Sequence, residues 1–236
     1  MAETPRLAHV MMLLFFGTAL TIVSGLLVAL YGAASGKKLT LRFGGLLIGL
    51  VGGSYSLFLL GAGVVTSDKT LPEGNWKYFC EPDCHIAYSI SSVETAAALG
   101  TESNLAQANG EYVVVRLKTW FDERSIAKFR GNAPLTPAPR LVSLMDQEGR
   151  RYYPTQLKPG ILTDASAPLM QALRPGESYL TTLTFDVPKG SHDLRFLITD
   201  DDPVSALTVD HENSPFHGKI YLSLDTARQA AKRILQ

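Results

Sequence analysis

The only two cysteines of the chain, Cys80 and Cys84, are separated by Glu81-Pro82-Asp83, and His85 follows the second directly. Thiolate and imidazole are ligands for copper and zinc. His211 and His217 flank the loop Glu212-Asn213-Ser214-Pro215-Phe216 near the other end of the chain. In a sandwich whose first and last strands lie side by side, His85 would approach one of them. Cys80, Cys84, His85, His211 and His217 would then form an N/S site for copper or zinc. The cysteines also have a plainer use: in an oxidising compartment they close a short disulfide, since three intervening residues let the Cβ atoms come within about 3.5–4.5 Å. On that reading no cofactor is expected.

The other chemistry-bearing residues are less specific. Asp200-Asp201-Asp202 offers carboxylates to calcium but lacks the glycine-bearing loop of an EF-hand, and reads as a solvated turn. His192 and Asp193 have no serine nucleophile motif beside them, and Gly190-Ser191 is no nucleophile elbow. Trp120 and Phe121 read as core or strand-edge aromatics, and the mildly basic segment 124–130 as a solvated loop. No nucleophile, base and oxyanion set can be assembled, so no catalytic residue is assigned and the chain is expected not to be an enzyme. With 22 cations, 22 anions and no basic run, the composition also excludes a nucleic-acid partner.

The elements that position these residues fall into two textures. Val10 to Gly36 carries no charge, nor does Phe43 to Ser67. Each run exceeds the roughly 20 apolar residues that cross a bilayer as a helix. Residues 1–67 are therefore expected to form a transmembrane hairpin with helices at about 10–34 and 43–66. Lys37, Lys38 and Arg42 lie in the connecting link, so the positive-inside bias puts the link in the cytoplasm. Both termini and the remaining chain then lie outside, and the protein is a multi-pass protein of the cell (inner) membrane. A cleaved signal peptide ending near Ala33-Ala34-Ser35 is the competing reading, but it would leave those three cations on the wrong side. Small residues recur every four positions, as Gly25, Ala29 and Ala33 in the first span and Gly45, Gly49 and Gly53 in the second. Such stripes let helices approach closely, either packing the hairpin on itself or joining copies into an oligomer.

Beyond the spans, residues 68–76 read as a polar tether and 77–224 as an extracytoplasmic Ig-like β-sandwich. Strands are predicted at His85–Val93, Tyr112–Phe121, Arg140–Asp146, Arg151–Tyr153, Tyr179–Val187, Leu194–Thr199, Ala206–Val209 and Lys219–Leu224. Val113, Val115, Leu117 and Thr119 share one face, as do Tyr179, Thr181, Leu183, Phe185 and Val187. Residues 225–236 read as a short C-terminal helix with Asp225 as its N-cap. The fold class is thus membrane-anchored all-β.

Three pieces occur in order: Asn109-Gly110-Glu111-Tyr112-Val113-Val114-Val115, Leu144-Met145-Asp146-Gln147-Glu148-Gly149-Arg150-Arg151-Tyr152, and Leu173-Arg174-Pro175-Gly176-Glu177, the last followed by Leu183-Thr184-Phe185-Asp186-Val187-Pro188. This set resembles the telokin-like, immunoglobulin-like extracellular domains of bacterial membrane proteins and lipoproteins, the DUF4352 type, over roughly residues 86 to 200. The resemblance implies an Ig-like sandwich and brings no catalytic residues. The two-span anchor with Cys-xxx-Cys is also similar to cytochrome oxidase subunit II. There, however, the cysteines end the domain, and the His and Met ligands expected after the second cysteine are absent from Ala87 to Val93.

The expected function is a membrane-anchored extracytoplasmic interaction or binding module, with the bilayer and an envelope or membrane protein as partners. Its recognition surfaces would be the loops Gly131–Pro139 and Asp210–His217, because loops on a rigid sheet carry most binding. Copper or zinc binding is the alternative.

Overall fold

The computed structural model describes residues 8–81, 83–126, 130–162 and 166–224, without the side chains of residues 8, 9, 80, 81, 83 and 84. The expected helix at 225–236 lies outside the described residues. Two helices open the chain, α1 (Ala8–Ala34) and α2 (Lys38–Val64), and both are long and apolar enough to cross a membrane. The second begins five residues earlier than the expected 43, so Lys38 and Arg42 stand in its first turns. Nothing between Lys38 and Phe43 breaks a helix; the break comes at Gly36, whose φ of 65° suits a residue without Cβ. Its neighbours close the turn, Ser35 N–H donating to Tyr31 O and Lys37 N–H to Gly32 O, each at 2.9 Å.

The chain divides into two compact units, the first holding the helices and the segment Asp202–Lys219. Within it, α1 and α2 pack closely. A Cβ on Gly44 would lie 2.6 Å from Ala29 N and 2.7 Å from Gly25 O, so the crossing tolerates only glycine there. Gly25 and Ala29 thus do pack the hairpin, but against Gly44. The expected partners Gly45, Gly49 and Gly53 look into open space, with nothing within 4 Å of a Cβ, and Ala33 is exposed. Adjacent helical residues point about 100° apart, so a stripe displaced by one position faces away from α1. The rest of the hairpin surface is apolar too: Leu13, Leu20, Leu27, Leu46, Leu50 and Leu57 are all more than half exposed.

The second unit is a two-sheet β-sandwich. Its strands are β1 (Lys69–Leu71), β2 (Lys77–Glu81), β3 (Asp83–Thr101), β4 (Asn104–Phe121), β5 (Arg140–Met145), β6 (Arg151–Tyr152), β7 (Ser178–Val187), β8 (Arg195–Asp200) and β9 (Ile220–Ser223). One sheet has the order β2-β3-β4-β7 and the other β1-β9-β8-β5-β6. All pairings are antiparallel except β1 with β9, which run parallel from Lys69↔Ile220 to Leu71↔Leu222. The inner faces meet in one core. Ile86, Tyr88, Val113, Val115, Leu117, Phe121 and Phe185 come from the four-stranded sheet, and Leu144, Phe196, Ile198 and Leu222 from the other. Phe185 and Phe196 meet edge to face at 6.2 Å.

Three expectations are corrected here. Residues 69–71 of the expected tether form a strand, because β9 offers them a ladder. Ala206–Val209 is not a strand: Pro203 and the Asp202 carboxylate, which accepts Val204 N–H at 3.0 Å, start a 3₁₀ turn at Pro203–Leu207. The strand read at His85–Val93 extends to Thr101 and pairs along a long hairpin with β4, with shifts near Ser91 and Ala97 absorbing the irregular alternation.

Candidate functional site

The cysteine and histidine segment lies at one end of the four-stranded sheet, where β2 pairs with the start of β3. The pairing Phe79↔Ile86 gives way to Glu81↔Asp83 one register step along. The backbone therefore sets Cys80 across from the Cys84–His85 step. The expected disulfide, and any metal bond of Cys80 or Cys84, concerns side chains outside the described residues.

His85 is buried and stacks on Phe121, with ring centroids 5.5 Å apart. Its Nδ1 lies 2.9 Å from Ser125 Oγ, which donates to Asp122 O at 2.9 Å. Asp122 N–H in turn donates to His85 O at 2.8 Å. The Asp122 carboxylate accepts Tyr78 Oη–H at 2.7 Å, Arg124 N–H at 3.0 Å, and Arg124 Nε–H and Nη2–H at 2.9 Å each. Burial pushes this carboxyl up, but the Arg124 guanidinium and the Tyr78 hydroxyl outweigh it and hold it below the usual carboxylate range. Burial, then the bond to Asp122, pushes the Tyr78 phenol up to about 12. At neutral pH the group is a carboxylate gripped by a guanidinium and a phenol. Its acceptors are committed to holding the segment 121–126 under the β2–β3 turn, so its chemistry is that of a clamp. The sequence signal for it was available in Asp122-Glu123-Arg124-Ser125, an aspartate N-cap before a short turn.

His85 belongs to the sandwich unit, and His211 and His217 to the helical one. The metal reading required the strand of His85 to lie beside the last one, but β9 lies between β1 and β8 while His85 sits on β3 of the other sheet. The two later histidines belong to the segment Asp202–Lys219 of the helical unit. There His211 Nδ1 accepts Asn213 N–H at 3.0 Å, and His217 Nε2 lies 3.5 Å from Asp210 Oδ1. Among the described residues no three His, Cys, Asp or Glu side chains converge on a metal position. The aspartate run is likewise dispersed: Asp200 pairs with Arg140, Asp201 N–H donates to Pro139 O, and Asp202 caps the 3₁₀ turn. Asp193, at φ 50°, accepts from Gln147, and His192 is exposed.

The motif pieces prove to be staples. Asp146 accepts Arg150 N–H at 2.9 Å, Arg150 Nε–H at 2.6 Å and Tyr152 Oη–H at 2.7 Å, closing the β5–β6 turn. Glu177 accepts Arg174 N–H at 2.7 Å, while Gly176 N–H donates to Phe121 O at 2.9 Å. Asp186 accepts Asn109 N–H and Nδ2–H at 2.9 Å each and Gly110 N–H at 3.1 Å. A fourth staple carried no sequence signal: buried Lys77 donates to Ile198 O at 2.6 Å and Ile220 O at 2.9 Å. Those carbonyls stand one step beyond the last β8–β9 pair, Leu197↔Tyr221, so the ammonium closes the ladder where the strands part.

What remains exposed and fixed is the loop at 131–139. Its tip, residues 131–134, is exposed, while Leu135 pairs with Leu173 through two backbone bonds of 2.9 Å. Arg130 Nη1–H donates to Ala133 O at 2.6 Å and Arg174 Nη1–H to Asn132 O at 3.4 Å. The Arg130 guanidinium lies 4.7 Å over the Phe121 ring.

No family model matches the chain, and no curated protein matches it. Among solved structures it is similar to MPT63, a secreted protein from Mycobacterium tuberculosis, at 11% identity and a TM-score of 0.42, over 66% of this chain and 97% of that one. It is also similar to a β-sandwich protein from Clostridium difficile 630, at 14% identity and a TM-score of 0.36, over 68% of this chain and 96% of that one.

Proposed function

We propose that the chain is a membrane-anchored, extracytoplasmic interaction module without enzymatic activity. In this reading an Ig-like sandwich meets a protein partner of the envelope or membrane through the 131–139 loop. The helices support the anchor. A hairpin that is apolar on every face, with Leu13, Leu20, Leu46 and Leu57 each 68–75% exposed, has no stable place in water. The cations of the link support an outward sandwich. That side is oxidising, and the β2–β3 register supports a Cys80–Cys84 disulfide.

The observation that carries the functional reading is the loop. Its exposed tip is held by two arginines and a two-bond bridge, so it can bind without first being ordered. The test is photo-crosslinking from position 132 in native membranes, with position 180 on β7 as comparison. A discrete adduct at 132, lost in Arg130→Ala/Arg174→Ala with Tm retained, supports the reading. Equal adducts from both positions would sink it.

A further inference from the structure

We infer that the segment Asp202–Lys219 seats in the headgroup layer of the bilayer, with Leu207 reaching beneath the headgroups and Phe216 at their level. This rests on the membrane reading above and adds a second, non-spanning lipid contact. The segment lies along the C-terminal half of α2, within the same compact unit. Tyr55 Oη–H donates to Leu207 O at 2.5 Å. Further along, Gly63 lies so close to Pro215 that a Cβ would come within 2.1 Å of its carbonyl oxygen. At the end of the run, Gly218 N–H donates to Thr66 Oγ1 at 2.9 Å.

Helix geometry converts these contacts into depth. A hydrocarbon layer of about 30 Å takes about 20 helical residues. Counted from Lys38 they reach Phe58, and counted from Arg42 they reach Ala62. In both registers Tyr55 lies inside the hydrocarbon, and tilting the helix only deepens it. Leu207, bonded to Tyr55, is drawn to that depth, whereas Pro215 and Phe216, beside Gly63, come at the boundary. An aliphatic side chain below and an aromatic at the interface is the order that bilayers favour.

Two further observations fit lipid rather than water. Phe216 is 73% exposed and Leu207 51%, and Leu57, Val64 and Val65 of the same unit are exposed too. Phe216 also holds a φ of 64°, which bulky side chains rarely adopt. In water this turn would strain the backbone only to expose a ring; in the interface the ring is covered. The backbone is prepared for such a place. Ser205, Thr208, His211, Ser214 and His217 each donate N–H to the carbonyl three residues before, so the irregular chain carries its own partners. Asp210, paired with His217, keeps the seat at headgroup depth.

The test places benzoylphenylalanine at position 50, 207 or 216 of the full chain reconstituted in phosphatidylcholine vesicles, and reads lipid adducts by intact mass after irradiation. Adducts at all three positions are expected. Adducts at 50 without adducts at 207 and 216 overturn this inference and leave the membrane reading standing. No adduct at 50 overturns both. Should benzoylphenylalanine at 216 prevent folding, Phe216→Trp provides a second reading: quenching by brominated lipid beyond that of the unsubstituted protein supports the seat, and no added quenching rejects it.

Discussion

Asp146 and Tyr78 show how much of this sandwich's polar chemistry is spent on holding turns. Burial raises the Asp146 carboxyl, but Tyr152 and then Arg150 outweigh it and bring it down to about 2. The folded value lies below the ordinary 3.8, so the stabilisation is present above that value and is lost as pH falls toward about 2. Asp146→Asn is expected to lower Tm at neutral pH and to flatten the acid limb of a Tm-versus-pH curve between those values. Tyr78 works in the opposite sense. Its folded pKa of about 12 lies above the ordinary 10.0, so its contribution is full below 10.0 and is lost as pH rises toward 12. Tyr78→Phe is expected to flatten the alkaline limb, read by near-ultraviolet circular dichroism. Residue types and spacing revealed the turns, since Asp-x-x-Gly and Pro-Gly-Glu are local chemistry. They did not reveal that Asp122 joins Tyr78, which requires knowing that β2 and β4 flank β3.

At the scale of elements, local periodicity found β7 and residues 112–121 of β4, but not residues 104–111. It missed β1 and β2: three and five residues are too short to show a period, and β1 pairs with β9, far along the chain. Nothing in the sequence marked Lys77, which is buried between two carbonyls at the β8–β9 fork. Lys77→Met keeps the volume and removes the ammonium, and is expected to destabilise the sandwich by about 2–3 kcal/mol in urea unfolding. The helical stripes were legible as a pattern but not as a face. Period four appears at Gly45, Gly49 and Gly53, yet the neighbouring Gly44 touches Ala29. Gly44→Val is expected to drive α1 and α2 apart and lower thermal stability in detergent. A Cβ on Gly49 meets nothing within 4 Å among the described residues, so Gly49→Val is expected to leave that stability unchanged.

For the whole molecule, the division into an apolar hairpin and a β-rich remainder followed from charge distribution alone, and the structure has two apolar helices followed by a two-sheet sandwich. The chain was expected to sort its segments in sequence order. Instead Asp202–Lys219, late in the chain, belongs with the helices. No composition shift announces this: the segment carries ordinary turn residues, and its partners Tyr55 and Gly63 are helical residues of unremarkable type. If the hairpin spans a bilayer, the full chain is expected to remain in the pellet after alkaline carbonate extraction. External protease is then expected to digest the sandwich while sparing the link at Lys37 and Lys38. Release into the carbonate supernatant would remove the anchor from the account.

The parallel pair β1–β9 also bears on how the molecule is made. β1 leaves the ribosome directly after the helices, yet among the described residues its ladder partner is the last strand, β9. The four-stranded sheet can assemble from chain already synthesised, but the opposite sheet stays open along one edge until β9 has been made. Leu71, whose side chain belongs to the core, waits through that interval. A nascent chain with a long-lived open flank is what chaperones exist to shield, so synthesis time itself becomes part of this fold's vulnerability.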